Sequence, residues 1–120
     1  MKTIHDTRDA ASDARHEVSR LLDADPVVAE QVRMRGMNYP PTIGDLVSLP
    51  TIVQVQTADL VLDGPMVRVW VERTGAEDGE PRDSMVEVER RRSDGHWSTF
   101  ARYCGAYVNG EDWTQYVELY

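Results

Sequence analysis

HWSTFARYCGAYVNGEDWTQYVELY, residues 96–120, holds seven of the nine aromatic residues in the chain. Asn109-Gly110 lies near its middle, between two strand-like runs. Asn-Gly suits the two positive-φ positions of a type I′ turn, so the stretch reads as a long β-hairpin. A two-residue turn pairs Val108 with Glu111, Ala106 with Trp113, Cys104 with Gln115 and Phe100 with Leu119. Phe100, Cys104, Ala106, Val108, Trp113, Val117 and Leu119 then share one face, the expected core face. Trp97, Tyr103, Tyr107, Tyr116 and Tyr120 share the other, among Thr99, Asp112, Thr114 and Glu118. Tyrosine offers apolar area and a hydroxyl at low entropic cost, so this second face is the candidate partner surface. The alternative is that the helices cover it.

Working outward, Ser93-Asp94-Gly95 sets the register of the preceding strand. A three-residue loop with a left-handed Gly95 places Val88 opposite Phe100; a two-residue loop places Val88 opposite Ala101. The first groups the valines with Phe100 and is the one expected. Ser84–Arg92 alternates Val86 and Val88 with Glu87 and Glu89, and Met66–Arg73 alternates Val67, Val69 and Val71 with Arg68, Trp70 and Glu72. Asp59–Leu62 ends at the turn Asp63-Gly64, and Thr51–Gln56 alternates in the same way. Residues 74–83 read as a polar loop.

Before Thr51 the period is helical. Ala11, Ala14, Val18, Leu21 and Leu22 recur at three- and four-residue steps in a helix over 7–23 that Thr7 can cap. Asp25-Pro26 supplies a capping acceptor and then proline at the first helical position, and Gly36 offers a left-handed stop. Thr42 and Asp45 bracket a third short turn carrying Ile43, Leu46 and Val47. The expected fold is one α+β domain. Two or three N-terminal helices, over about 7–49, pack on an antiparallel meander of about five strands, over about 51–120.

Composition narrows the function. The chain has 120 residues, one cysteine and a net charge of −8 that is spread along its length. Such a field repels nucleic-acid phosphates, and the absence of one acidic stripe argues against a phosphate mimic. No run approaches a membrane span and no leader pattern opens the chain, so a cytoplasmic or virion-associated location is expected. His5, His16 and His96 have no metal spacing, and phosphate-loop, nucleophile-elbow and dinucleotide motifs are absent; no cofactor, metal or catalytic residue is expected. Arg90, Arg91, Arg92 and Arg102 are candidate anion contacts, because a guanidinium fork fits carboxylate or phosphate. Glu72, Glu87 and Glu89 gather near Arg68 in what reads as a cross-strand ion-pair ladder.

Twelve arginines against the single Lys2 fit coding from GC-rich DNA, as in a high-GC bacterium or its phages, and equally a salt-loving organism. The functional expectation is a small acidic protein–protein interaction module of phage or mobile-element type, acting in assembly or on a host factor. Two alternatives are an acidic inhibitor of a nucleic-acid enzyme, and an anionic-ligand site or enzyme near Arg90–Arg92 and His96. The expected partner is a protein or a second copy of the chain, with neither nucleic acid nor membrane.

Overall fold

The computed structural model describes residues 3–5, 8–37, 40–73, 82–108 and 111–120. Expected features at Thr7, Tyr39, residues 74–81 and the Asn109-Gly110 turn lie outside them, as do the side chains of Tyr107, Trp113 and Tyr116. The order is β1 (Thr3–His5), α1 (Arg8–Ala24), α2 (Pro26–Arg35), α3 (Ile43–Val47), β2 (Val53–Val55), β3 (Ala58–Asp63), β4 (Val67–Arg73), β5 (Arg82–Arg91), β6 (Trp97–Val108) and β7 (Glu111–Leu119). The strands form one seven-stranded sheet in the order β1-β7-β6-β5-β4-β3-β2, and every pairing is antiparallel. The α+β meander is as expected, with more strands than the five anticipated. Most notably, β1 runs back along β7, pairing Thr3 with Leu119.

All three helices cover the valine face. Ala11, Ala14, Val18 and Leu22 of α1, Val28 and Val32 of α2, and Ile43, Leu46 and Val47 of α3 are buried in one cluster with the sheet valines. The small residues of α1 fall at its N-terminal half, and that helix lies against β7 and β1. Helix α3 carries a full capping box: Asp45 N–H donates to Thr42 Oγ1 at 3.1 Å, and Thr42 N–H donates to Asp45 Oδ2 at 2.9 Å. Gly36 closes α2 at φ +65°, a conformation that costs glycine little.

Asp25 reaches beyond its expected capping role. Its Oδ1 accepts the N–H groups of Val27 (3.0 Å) and Val28 (3.3 Å) at the start of α2. Its Oδ2 accepts those of Met66 and Val67, both at 2.9 Å, where β4 begins. One fully buried carboxylate thus joins a helix end to a sheet turn. Gly64 leaves room for it, since a β-carbon there would stand 2.5 Å from Oδ2. Nearby, the Gln31 amide donates to Asp63 O at 2.6 Å and accepts Asp63 N–H at 3.0 Å.

The β5–β6 loop has its three-residue form, with Gly95 at φ +88° and Arg92 N–H donating to His96 O at 2.7 Å. Pairs Arg91↔Trp97 through Glu89↔Thr99 follow from it, but a bulge at Phe100 then sets Val88 opposite Ala101. The expected Val88–Phe100 pairing is therefore corrected. The β6–β7 hairpin begins with the expected Val108↔Glu111 pair, and a second bulge at Trp113 moves later pairs by one. Cys104 now faces Tyr116, Tyr103 faces Val117 and Ala101 faces Leu119. Since side chains alternate between faces, these shifts exchange the roles expected of Tyr103 and Cys104. Ala101 and Tyr103 are core, while Cys104 is half-buried on the opposite face. Phe100, displaced by its bulge, still packs against the core edge, as does Leu119.

Replacing Asp25 with Ala strands four buried or half-buried N–H donors and removes a helix cap. The expected loss is about 3 kcal/mol, read as a lower urea midpoint with an unchanged slope. Gly64→Ala should also destabilise, because carboxylate and β-carbon cannot share that space. A Gly64→Ala protein as stable as the parent would contradict the clasp.

Candidate functional site: the open face of the sheet

With the helices on one face, the other face of the sheet has no helical cover among the described residues. It carries the alternate residues of the valine strands: Arg68, Trp70 and Glu72 on β4, Met85, Glu87 and Glu89 on β5, and Thr99, Arg102 and Cys104 on β6. Register sets Arg68 beside Glu89, Trp70 beside Glu87, and Arg102 between Glu87 and Glu118. The expected grouping of these charges is present, but only Glu89 pairs with Arg68. Arg68 Nε donates to Glu89 Oε1 at 2.8 Å, and the Trp70 indole N–H donates to the same oxygen at 2.6 Å. Thr99 Oγ1 donates to Glu87 Oε1 at 2.6 Å, with Arg102 3.7 Å from that oxygen. Thr57 Oγ1 donates to Glu72 Oε1 at 2.8 Å, tying the β2–β3 turn down onto the face.

These contacts surround a groove of about 520 Å³, floored by β4 and β5 and walled by Val55, Gln56 and Ala58. Arg68, Trp70, Glu72, Met85, Glu87, Glu89 and Arg102 line the rest. Three carboxylates stand against two guanidiniums there, so the groove is net negative. The Arg68 guanidinium also lies 4.1 Å from the Trp97 ring centroid and 5.4 Å from that of Trp70, a cation–π arrangement joining both indoles.

The candidate partner residues divide. Trp97 is half-buried on the open face against Arg68. Tyr120, exposed, lies on it too, and its hydroxyl donates to Glu118 Oε2 at 2.7 Å, which pushes the phenol pKa up. Tyr103 does not belong to a partner surface. It is fully buried beneath the helices, its hydroxyl donating to Pro41 O at 3.3 Å. The reason is the pair of bulges, which place it on the face of Val86 and Val117. Tyr107 and Tyr116 keep only their register positions, opposite Asp112 and Cys104.

The four candidate anion contacts do not converge. Arg90 stacks over Phe100 at 5.5 Å, Arg91 flanks Gly95, and Arg92 stands 4.0 Å from Asp94 at the hairpin end. Arg102 lies further along β6, between Glu87 and the Tyr120 ring. His96 is exposed beside Asp94, whose carboxylate accepts its backbone N–H and is held below the usual range by that bond. The groove includes none of Arg90, Arg91, Arg92 or His96. Among the described residues no group of three metal-binding side chains occurs, and no helix is long and apolar enough to cross a membrane.

Trp70, Met85 and the Thr57–Glu72 tie were not assigned to a site from the sequence. The signal available was the alternation of Met66–Arg73, whose polar side already held an indole among charges. The chain matches no family model, no curated protein and no solved structure.

Burial pushes the Tyr103 phenol far up, with Arg15 opposing the shift and Asp45 adding to it. An unfolded tyrosine releases its proton near pH 10 whereas the folded one keeps it. The stabilisation is therefore complete below about pH 10 and is lost as pH rises beyond it. Tyr103→Phe should cost about 1 kcal/mol at pH 7 and soften the alkaline decline. Urea midpoints at pH 7 and about pH 11 measure both effects.

Proposed function

We propose that the protein is a non-catalytic protein-binding module whose partner sits on the open sheet face and places a basic side chain in the groove. The observation that carries this reading is the contrast between the two faces. One is sealed by three helices; the other holds half-buried Trp70, Trp97 and Met85 around an open groove. Indoles and methionine among paired charges make up the chemistry of a protein interface.

Charge selects the partner. The groove has one more carboxylate than guanidinium, and the whole chain carries −8, so a lysine or arginine side chain is drawn in and an acidic one repelled. The groove's carboxylates each accept a hydrogen bond from a side chain of the face, which suits holding a surface more than moving protons. Its ion pairs also weaken the inhibitor reading, because Arg68 and Arg102 neutralise carboxylates that a phosphate mimic would present free. The size and arginine-rich composition accord with a phage or mobile-element protein acting in assembly or on a host factor.

Selection of displayed random peptides on the immobilised protein tests the reading. Enriched peptides should combine lysine or arginine with apolar residues. A synthetic representative should bind at least about tenfold more weakly to Glu72→Lys or Ala58→Arg, and more weakly as salt rises. Both substitutions lie at the groove lip, and an unchanged melting temperature shows that the fold is retained. Peptides that bind these variants as well as the parent would refute the groove.

A further inference from the structure

The sheet ends at β2, and that edge differs from the rest of the molecule. All residues from Thr51 to Thr57 are exposed, including Ile52, Val53 and Val55 at 46–53%. No charged residue occurs between Asp45 and Asp59, the longest uncharged stretch in a chain of net charge −8. Edge strands are ordinarily guarded by lysine, proline or an inward charge, and Val53–Val55 has none of these.

Among the described residues, backbone geometry leaves the edge open at a single central residue. Val55 and Ala58 close a two-residue turn and form its hydrogen-bonded pair, as Val53 and Leu60 do one step on. By alternation, the N–H and C=O of Gln54 point away from β3. The sequence around that residue, Thr51-Ile-Val-Gln-Val-Gln-Thr57, reads nearly the same in both directions. Two such strands running antiparallel about Gln54 set Val53 against Val55 of the other copy, and Gln54 against itself as a hydrogen-bonded pair. An isologous two-fold contact requires this kind of self-complementarity.

We infer that β2 is a homodimerisation edge, at which a second copy of the chain adds in antiparallel register centred on Gln54. Two acidic molecules approach here at the point where neither presents a charge. Val55 lines the groove, so its row, with Val53, faces the open side. The dimer therefore joins two open faces into one surface and brings two grooves together across the axis. The contact is short, and association is expected to be weak, with Kd on the order of 100 µM.

Sedimentation equilibrium of the full chain from about 5 to about 500 µM reads the association. The parent should shift from monomer to dimer across that range. Gln54→Pro removes the outward donor while leaving every β2–β3 hydrogen bond, and Val53→Lys sets a charge at the axis; each should weaken association at least about tenfold. Paired Gln54 residues would bring their Cα atoms to about 5.5 Å, within disulfide reach. In a Cys104→Ser background, Gln54→Cys should thus cross-link under mild oxidation and Met34→Cys, on exposed α2, should not. A parent that stays monomeric throughout, or a dimer that both edge variants leave unchanged, would overturn the proposal. These measurements are independent of peptide binding in the groove.

Discussion

The buried carboxylate of Asp25 governs how the helical layer meets the sheet. A buried carboxylate is tolerated only if its oxygens are hydrogen-bonded, and here four backbone N–H groups converge on two oxygens. Two of those donors belong to the first turn of α2, where they have no partner inside the helix and where the helix dipole favours a negative charge. The other two belong to the start of β4. Because both sets share one group, the position of α2 over the β3–β4 turn is defined in distance and direction. Gln31, one turn along α2 from Val27 and Val28, fixes a second point by pairing with both backbone groups of Asp63. Val28 and Val32 are thereby held against the sheet valines, and α1 and α3 complete the cover.

How far the sequence discloses this arrangement depends on the range of the interaction. Local signals were legible: Asp25-Pro26, the Thr42–Asp45 box, Gly36 and the left-handed Gly95 are set by neighbours a few residues away. The valine alternation of β4 and β5 was equally plain, because Val67, Val69, Val71, Val86 and Val88 recur at every second position while charged side chains and Trp70 fall between them. The hairpin faces of β6 were not, since both carry aromatics and nothing local announces a bulge at Phe100 or Trp113. Whether Phe100 or Tyr103 enters the core is decided across the molecule, by the Pro41 carbonyl that receives the Tyr103 hydroxyl and by the valines beside it. The second task of Asp25 is similarly invisible, as its partners lie some forty residues away.

The open face was half legible for the same reason. Glu72, Glu87, Glu89 and Arg68 could be grouped from alternation alone, since β4 and β5 pair without interruption. Arg102 joined them only through the shifted register of β6, which took it from the expected anion cluster and set it beside Glu87. The tyrosine concentration that drew attention to the hairpin proves to be divided between layers: Tyr103 supports the fold, while Tyr120 and Trp97 border the open face.

The pairing of β1 with β7 carries a consequence for how the molecule is made. Helix α1 packs on β7 and β1, yet β7 is the last of this sheet's strands in chain order. On the ribosome, α2, α3 and strands β2 to β5 can collapse as a local meander, since each contact there closes a modest loop. The first helix can meet α2 early, but its contacts with β7 form only once Val117 and its neighbours have emerged, and Thr3–His5 then pairs along that strand. The β1–β7 pairing joins the first and last strands of the sheet, so among the sheet's pairings it closes the longest loop. Until that moment the part of α1 that β7 covers stays open to whatever else in the cell binds apolar surface.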